Sequence, residues 1–395
     1  MTSAELRQKI QALGLDPTGK SVKQMKEMLA LFLWAKNHPG EEFPEQFDPM
    51  LAQDVSRADK DWVNENFKDT EWWIQEKING MRSVCQIKPD GKVIMTSRER
   101  SVKDFTYTMH QDKVLSFQNI KSPFEKTVVL DGELIMKNPR VKLPSGVETT
   151  STLQSTVAVT RLNTEQSIEV QKEYGSLTYK CFDIIKLNGE STEELPYEDR
   201  AALVDEVVAK LKEANPDMSI ETIKVVKQFK APYEVFEEFI KEGAEGVMLK
   251  KRKAKYQQGK RSYDLIKLKG TVTIDAFFSG FVPSDEKKSN KDLIGGFLFS
   301  LYLDGEFHEV AGVTNISNDL RKKATVMVDG KPSLNPDYYY KVAELVGQDF
   351  NEKSLRLNSA RINEWRDDKR PEDCSLSRDE IKFNGQKIIV LNNKL

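Results

Sequence analysis

Residues 72–82 read Trp72-Trp73-Ile74-Gln75-Glu76-Lys77-Ile78-Asn79-Gly80-Met81-Arg82. Trp73 to Gln75 has the apolar composition of a strand, Gly80 interrupts it, and Met81 to Ile87 resumes the strand pattern. Pro89-Asp90-Gly91 then supplies the residues of a tight turn before Val93 to Thr96, so a hairpin follows the first strand. Lys77 therefore stands on a glycine-bounded link between two strands. The spacing Lys-x-x-Gly recurs at Lys88, Lys186 and Lys267, which is near chance in a lysine-rich chain. Lys88 falls in the hairpin turn and Lys186 at a strand end with turn residues, so both read as structural.

Outward from this stretch the pattern is α+β. Strands are predicted over Val128–Met136, Leu177–Ile185 and Val247–Lys250, with helices between them. Leu203, Val204, Val207, Val208 and Leu211 make one helical face, and Pro232 opens a helix containing Val235, Phe236, Phe239 and Ile240. After Gly270 the pattern becomes short strands with glycine turns, Ala276–Phe281, Gly296–Leu303 and Phe307–Val313. A small β-barrel is the expectation there. At the other end, Thr2-x-x-Glu5 reads as a capping box before Leu6, Ile10 and Leu13, and Gly14 stops that helix. Ser21 caps a second helix with Val22, Met25, Leu29 and Phe32 on one face, giving a helical hairpin. The predicted divisions are a hairpin module at 1–35, a linker at 36–48, an α+β domain at 49–270 and a β-domain at 271–395.

Composition narrows the function. The 395 residues carry 60 Lys and Arg against 62 Asp and Glu, a net charge of −2, so any affinity for a polyanion must be local. One local excess exists: Lys250, Lys251, Arg252, Lys253, Lys255, Lys260 and Arg261 run without an acid until Asp264. Such a stretch suits phosphate-backbone contact, and a solvated loop has the same composition. The longest apolar stretch, Met28 to Ala35, falls far short of the roughly 20 residues that span a bilayer. The amino terminus has no signal-like pattern, so no membrane anchor and an intracellular protein are expected. Cys85, Cys181 and Cys374 are too few and too far apart for a disulfide framework or a zinc motif.

The Lys77-Ile78-Asn79-Gly80 link is followed in order by Arg82, Ser97-Arg98, Asp131-Gly132-Glu133, Phe182-Asp183, Glu245-Gly246-Val247-Met248-Leu249-Lys250, Lys267-Leu268-Lys269 and Arg366-Asp367-Asp368-Lys369. This ordered set resembles the ATP-dependent DNA ligases, from Pro49 almost to the carboxyl end. The compact layout resembles the bacteriophage members. The resemblance implies a nucleotidyltransferase (adenylation) domain followed by an OB-fold, and the hairpin, with Leu13-Gly14-Leu15 and Gly19-Lys20, resembles the SAP motif, a small DNA-binding module. A packing hairpin is the alternative. One residue departs from the family pattern: Asn79 stands where Asp is usual, which keeps a hydrogen-bonding carbonyl and removes a charge.

The resemblance implies that Lys77 attacks ATP and carries AMP. A lysine of ordinary pKa ~10.4 is deprotonated in about one molecule in 2,500 at pH 7, so such a site must depress it. Arg82, Lys269 and a divalent cation are the charges available for this. By resemblance, Gln75 reads the adenine edge, Ile78, Arg82 and Arg98 line the nucleotide site, and Glu133 and Glu245 serve ribose or Mg2+. Phe182 stacks on adenine in the same reading, although a core phenylalanine would fit its surroundings. Lys267 and Lys269 alternate on a strand, so both face one side, where they can meet an α-phosphate. Arg366 and Lys369 would cover the leaving pyrophosphate, and Trp365 reads as a packing anchor. Lys20, Lys23, Lys250, Lys251, Arg252 and Lys253 are the candidate DNA contacts. The implied partner is nicked double-stranded DNA, encircled by a monomer. An RNA ligase, an mRNA-capping guanylyltransferase and a catalytically silent DNA-binding relative are the competing readings. NAD-dependent ligases need an extra domain and usually a four-cysteine module, which this sequence does not fit.

Overall fold

The computed structural model describes residues 2–56, 58–101, 105–149, 151–284, 292–348, 350–351, 354–377, 382–384 and 387–389. The helices are α1 (Ser3–Ala12), α2 (Val22–Asn37), α3 (Lys60–Asn66), α4 (Thr152–Arg161), α5 (Thr164–Tyr174), α6 (Tyr197–Ala214), α7 (Pro232–Lys241) and α8 (Asn318–Ala324). Both amino-terminal capping boxes form: Thr2 and Glu5 exchange bonds at the start of α1, and Ser21 and Gln24 at the start of α2. Gly14 takes φ +76 after α1, the left-handed turn that glycine reaches without strain. No helix among the described residues is long and apolar enough to cross a membrane.

The chain divides into two units, residues 1–237 with 246–268, and residues 238–245 with 269–395. The first holds two sheets. One contains β1 (Leu51–Asp54), β2 (Trp72–Glu76), β10 (Val225–Val226), β11 (Gly246–Lys251) and β12 (Arg261–Lys269), in the order β1-β12-β11-β2-β10. The other contains β3 (Met81–Ile87), β4 (Val93–Arg100), β5 (Tyr107–Met109), β6 (Val128–Ile135), β7 (Thr178–Leu187), β8 (Glu190–Ser191) and β9 (Ile220–Thr222). Its order is β5-β4-β3-β6-β7-β8, with β9 parallel to β7. The six predicted runs fall at β2, β3, β4, β6, β7 and β11, with ends shifted by a residue or two except that β4 continues four residues past Thr96; β1, β5, β8, β9 and β10 have no counterpart in the sequence reading.

Strand alternation sorts the second sheet into two faces. Val128, Leu130 and Leu134 of β6 join Cys85 and Ile87 of β3 and Val204, Val207, Val208 and Leu211 of α6 in the main core. Val129 points the other way, with Val84 and Ile185, into a smaller cluster with Phe47, Met50, Tyr256 and Leu265. By the same alternation Asp131 and Glu133 share Val129's face.

The second unit is strand-rich, as the glycine-punctuated pattern after Gly270 requires. β13 (Val272–Val282), β14 (Gly296–Leu303), β15 (Glu306–Val313), β18 (Val342–Gly347) and β19 (Arg361–Trp365) run in the order β15-β14-β13-β18-β19. The short pair β16 (Thr325–Val328) and β17 (Lys331–Leu334) stands apart from them, and β20 (Ser375–Leu376) lies parallel to β14. A further pair joins Lys382–Asn384 to Lys387–Ile389. The core includes Phe277, Phe278, Phe297 and Phe299. Trp365 packs against it, its ring 6.3 Å from Phe297 and 6.0 Å from Tyr338, the anchoring role its sequence position suggests.

Candidate active site

Lys77 leaves the end of β2, and its backbone N–H donates to the Gly246 carbonyl at 2.9 Å, so β11 fixes where the link begins. Four residues later the chain enters β3 in the other sheet. At the crossing, a Cβ on Gly80 would lie 2.3 Å from the Leu134 carbonyl oxygen and 2.6 Å from Ile135 Cγ2. Glycine is therefore demanded by a backbone that presses on β6. Gln75, 3% exposed, pairs in register with Met248 of β11 and Val225 of β10. Ile78 and Asn79 are half-buried in the link itself.

Across the second sheet, Arg82 of β3 stands opposite Glu133 of β6, which stands opposite Lys180 of β7. Arg82 forks onto Asp131, Nε to Oδ1 at 3.0 Å and Nη2 to Oδ2 at 2.5 Å, and Tyr256 donates its hydroxyl to Oδ2 at 2.6 Å. Asp131 is 0% exposed, and these three hydrogen bonds satisfy its buried carboxylate. Burial alone would pull the Arg82 guanidinium down; the Asp131 carboxylate outweighs it and holds Arg82 above its ordinary value. Glu133 is half-buried beside this pair. Gly132 sits under the Tyr179 ring, where a Cβ would meet Cζ at 2.5 Å.

Phe182 is half-buried, with the Arg82 guanidinium 5.3 Å and the Lys250 ammonium 4.9 Å from its ring centroid. Here one expectation is corrected. Lys250 is not a surface cation available to DNA. It is 6% exposed, donates to the Phe182 carbonyl at 2.8 Å and lies 3.5 Å from Asp183. Burial, partly offset by Asp183 and then Asp131, pulls its ammonium down to about 8. Asp183 is itself forked by Arg200, at 2.7 and 3.2 Å, a residue on α6 that the sequence reading did not single out. Three more cations of the basic stretch, Arg252, Lys253 and Lys255, find acids that sequence distance hides. Arg252 and Lys253 both pair with Glu198, and Lys251 lies 6.0 Å from the Trp72 ring centroid.

Lys267 and Lys269 flank Leu268, which is 2% exposed, so the two ammonium groups share the opposite face of β12 as alternation requires. Lys267 Nζ lies 3.3 Å from Asp54 of β1. Although burial pushes the Asp54 carboxyl up, hydrogen bonds from Ser56 and the Lys267 charge hold it below its ordinary value. At the edge of the second unit Lys269 Nζ lies 3.9 Å from Glu245. Among the described residues no group of three His, Cys, Asp or Glu side chains is placed to hold a metal ion.

Within the second unit, Arg366 and Lys369 converge on one carboxylate. Arg366 Nη1 reaches Asp275 at 3.3 Å and Lys369 Nζ reaches it at 2.5 Å, while Arg366 also forks onto Asp368 at 2.7 and 2.8 Å. That fork holds the Asp368 carboxyl down to about 2. Arg98, two residues before the end of β4, pairs with Glu99, and Lys20 and Lys23 flank the start of α2, Lys23 within 3.5 Å of Asp48.

A family model described as ATP dependent DNA ligase domain matches residues 49–269. A probable DNA ligase of Dictyoglomus thermophilum is 31% identical over 238 residues, 58% of this chain and 37% of that protein. The bifunctional non-homologous end joining protein LigD of Bacillus subtilis is 26% identical over 64% of this chain and 39% of its own length. The chain thus spans less than two-fifths of the length of these relatives. Among solved structures, a Lig E DNA ligase analysed for DNA binding with a minimal scaffold is 18% identical, with TM-score 0.54 over 82% of this chain and 100% of its own. Pmar-Lig_PreS3 is 19% identical, with TM-score 0.58 over 88% of this chain and 72% of its own. The fold is the mixed α/β nucleotidyltransferase fold of these structures. With its family match covering more than half of the sequence and enclosing Lys77, Arg82, Glu133 and Phe182, the chain belongs to the ATP-dependent DNA ligase family.

Proposed function

We propose that this chain seals 3'-hydroxyl/5'-phosphate nicks in duplex DNA, using ATP, through AMP bound to Lys77. The observation that carries the reading is the Lys77–Gly80 link: its lysine is fixed at one sheet by Gly246 and its glycine is pressed against β6 of the other, beside the Arg82, Asp131 and Glu133 group. A nucleophile held on a rigid crossing needs little ordering at the moment of attack.

Three exchanges follow. The Lys77 amine attacks the α-phosphorus of ATP, forming an N–P bond as the bond to pyrophosphate breaks. A DNA 5'-phosphate oxygen then attacks the same phosphorus, releasing Lys77 and leaving AMP on the DNA end. The neighbouring 3'-hydroxyl attacks the 5'-phosphorus, gives up its proton and expels AMP. In this reading Gln75, Ile78 and Phe182 bind the base, Arg82 and Arg98 line the nucleotide site, and Lys267 and Lys269 bind the α-phosphate. Arg366 and Lys369 belong to the first exchange, as partners of the departing pyrophosphate, and the carboxyl-terminal unit acts as an OB-fold that closes on DNA. The two-helix module serves as a SAP-like DNA grip through Lys20 and Lys23, and Lys251, Arg252 and Lys253 add backbone contacts.

Glu133 and Glu245 each offer Mg2+ a part-buried carboxylate, to which phosphate oxygens and water would add the rest of the ion's shell. When bound it would neutralise charge on the phosphates. Incubation with α-labelled ATP or GTP tests the reading. An AMP adduct from ATP alone, transferred to nicked DNA more readily than to nicked RNA, supports it. Label from GTP, or no adduct, contradicts it. Glu245→Ala should slow turnover by orders of magnitude without lowering the unfolding midpoint.

A further inference from the structure

The two-helix hairpin is seated on the catalytic domain. Its core of Leu6, Ile10, Met25, Leu29 and Ala30 closes on Phe105, which belongs to the β4–β5 connection and is 5% exposed. The Lys9 ammonium lies 5.4 Å from that ring's centroid. Phe105 holds φ +61, a left-handed conformation that bulky residues rarely adopt.

Beside the seat lies a groove of about 570 Å³. Lys23 and Lys26 of α2, Arg98 and Arg100 of β4 and Arg261 of β12 line it, against Asp48 and Glu99. The first turn of α2 carries no acid, so the positive end of the helix adds to the cationic excess. Asp48 braces the assembly: it accepts from the Tyr107 hydroxyl and from Arg100 at 3.4 Å, and lies 3.5 Å from Lys23. The Asp48 carbonyl also receives the Gly259 N–H at 2.9 Å. Cations from the hairpin and from the catalytic domain thus line one groove, with Lys23 and Arg100 bridged by Asp48. A chain of evenly spaced phosphates is the ligand such a row neutralises.

We propose that the hairpin and the catalytic domain form one preassembled groove for the sugar–phosphate backbone of duplex DNA, with Phe105 as the peg that sets α2 in place. The proposal rests on the ligase reading and replaces a tethered DNA grip with a fixed wall of the binding surface.

Binding of the full chain to an intact duplex, and to either of its strands alone, at several salt concentrations is the test. Lys26→Ala and Arg261→Ala should each flatten the logarithmic salt slope by about one, the effect of one lost phosphate contact. Phe105→Gly suits the left-handed backbone and removes the peg; it should flatten the slope by about two, after which adding Lys26→Ala changes nothing more. Phe105→Leu keeps an apolar peg and should retain the parental slope. Parental slope in Phe105→Gly, an equal Lys26→Ala loss in both backgrounds, a Phe105→Leu as weak as Phe105→Gly, or equal losses on single strands would each overturn the proposal. Self-adenylation from ATP should be normal in all four variants; its absence from the parent would defeat the ligase reading instead.

Discussion

Both units gather charges of opposite sign around an aspartate, and they do it under different conditions. In the first unit Asp131 and Asp183 are 0% and 4% exposed, and each is forked by an arginine. In the second, Asp275 takes Arg366 and Lys369 with side chains 16%, 22% and 31% exposed, and Asp368 is 63% exposed. A buried pair cannot be opened without stranding a charge in a poor dielectric, so it fixes geometry. A wet pair is screened and opens at little cost, so its cations can be lent to another anion. The contrast separates groups locked in one shape from groups whose cations can be released to another anion.

The contrast fails if the two aspartates respond alike to mutation. Asp131→Ala leaves Arg82 buried without its carboxylate and Tyr256 without its acceptor, and should cost about 3–5 kcal/mol of stability in a denaturant titration. Asp275→Asn should leave the denaturant midpoint almost unmoved. Equal losses from the two would end the distinction.

Function gives the next contrast. Changing Arg366 and Lys369 together to Ala should reduce self-adenylation by orders of magnitude and spare the sealing of nicks that already carry AMP, since no pyrophosphate is present in that exchange. A matched loss in both assays would remove the proposed first-step role.

The buried region also carries a pH signature. His110, bonded to Ser83 across 3.0 Å, is driven down to about 4 by burial. An unfolded histidine takes its proton near pH 6.5, so between roughly 6.5 and 4 the unfolded chain binds more protons and stability falls as pH falls. His110→Gln should flatten that limb of a stability–pH curve. A smaller effect than those above is expected, since one group is involved.

Much of the site was legible because strand chemistry is local. The Lys77 link, Arg82 and Glu133 lie on or between apolar runs whose period fixes which side chains share a face. Lys250 misled for the complementary reason. Its neighbours in sequence are basic, and the partners that bury and neutralise it, Asp183 and Phe182, stand more than sixty positions away. Asp131 carried a readable signal: an acid inside the apolar run Val128–Met136 must have a buried partner. Arg200, one of several charges on an amphipathic helix, carried none. Helix α4 was also poorly marked, since Ser155, Thr156 and Thr160 are weak helix formers; there they are buried and return their hydroxyls to backbone carbonyls.

The central claim is that Lys77, and no other lysine, becomes the carrier of AMP. Peptide mapping by mass spectrometry after incubation with ATP and Mg2+ reads this directly. The account predicts one AMP adduct, on the peptide containing Lys77, removed by pyrophosphate, absent from Lys77→Ala and present in Lys88→Ala. An adduct on Lys88 or Lys250, or one that survives in Lys77→Ala, would contradict it.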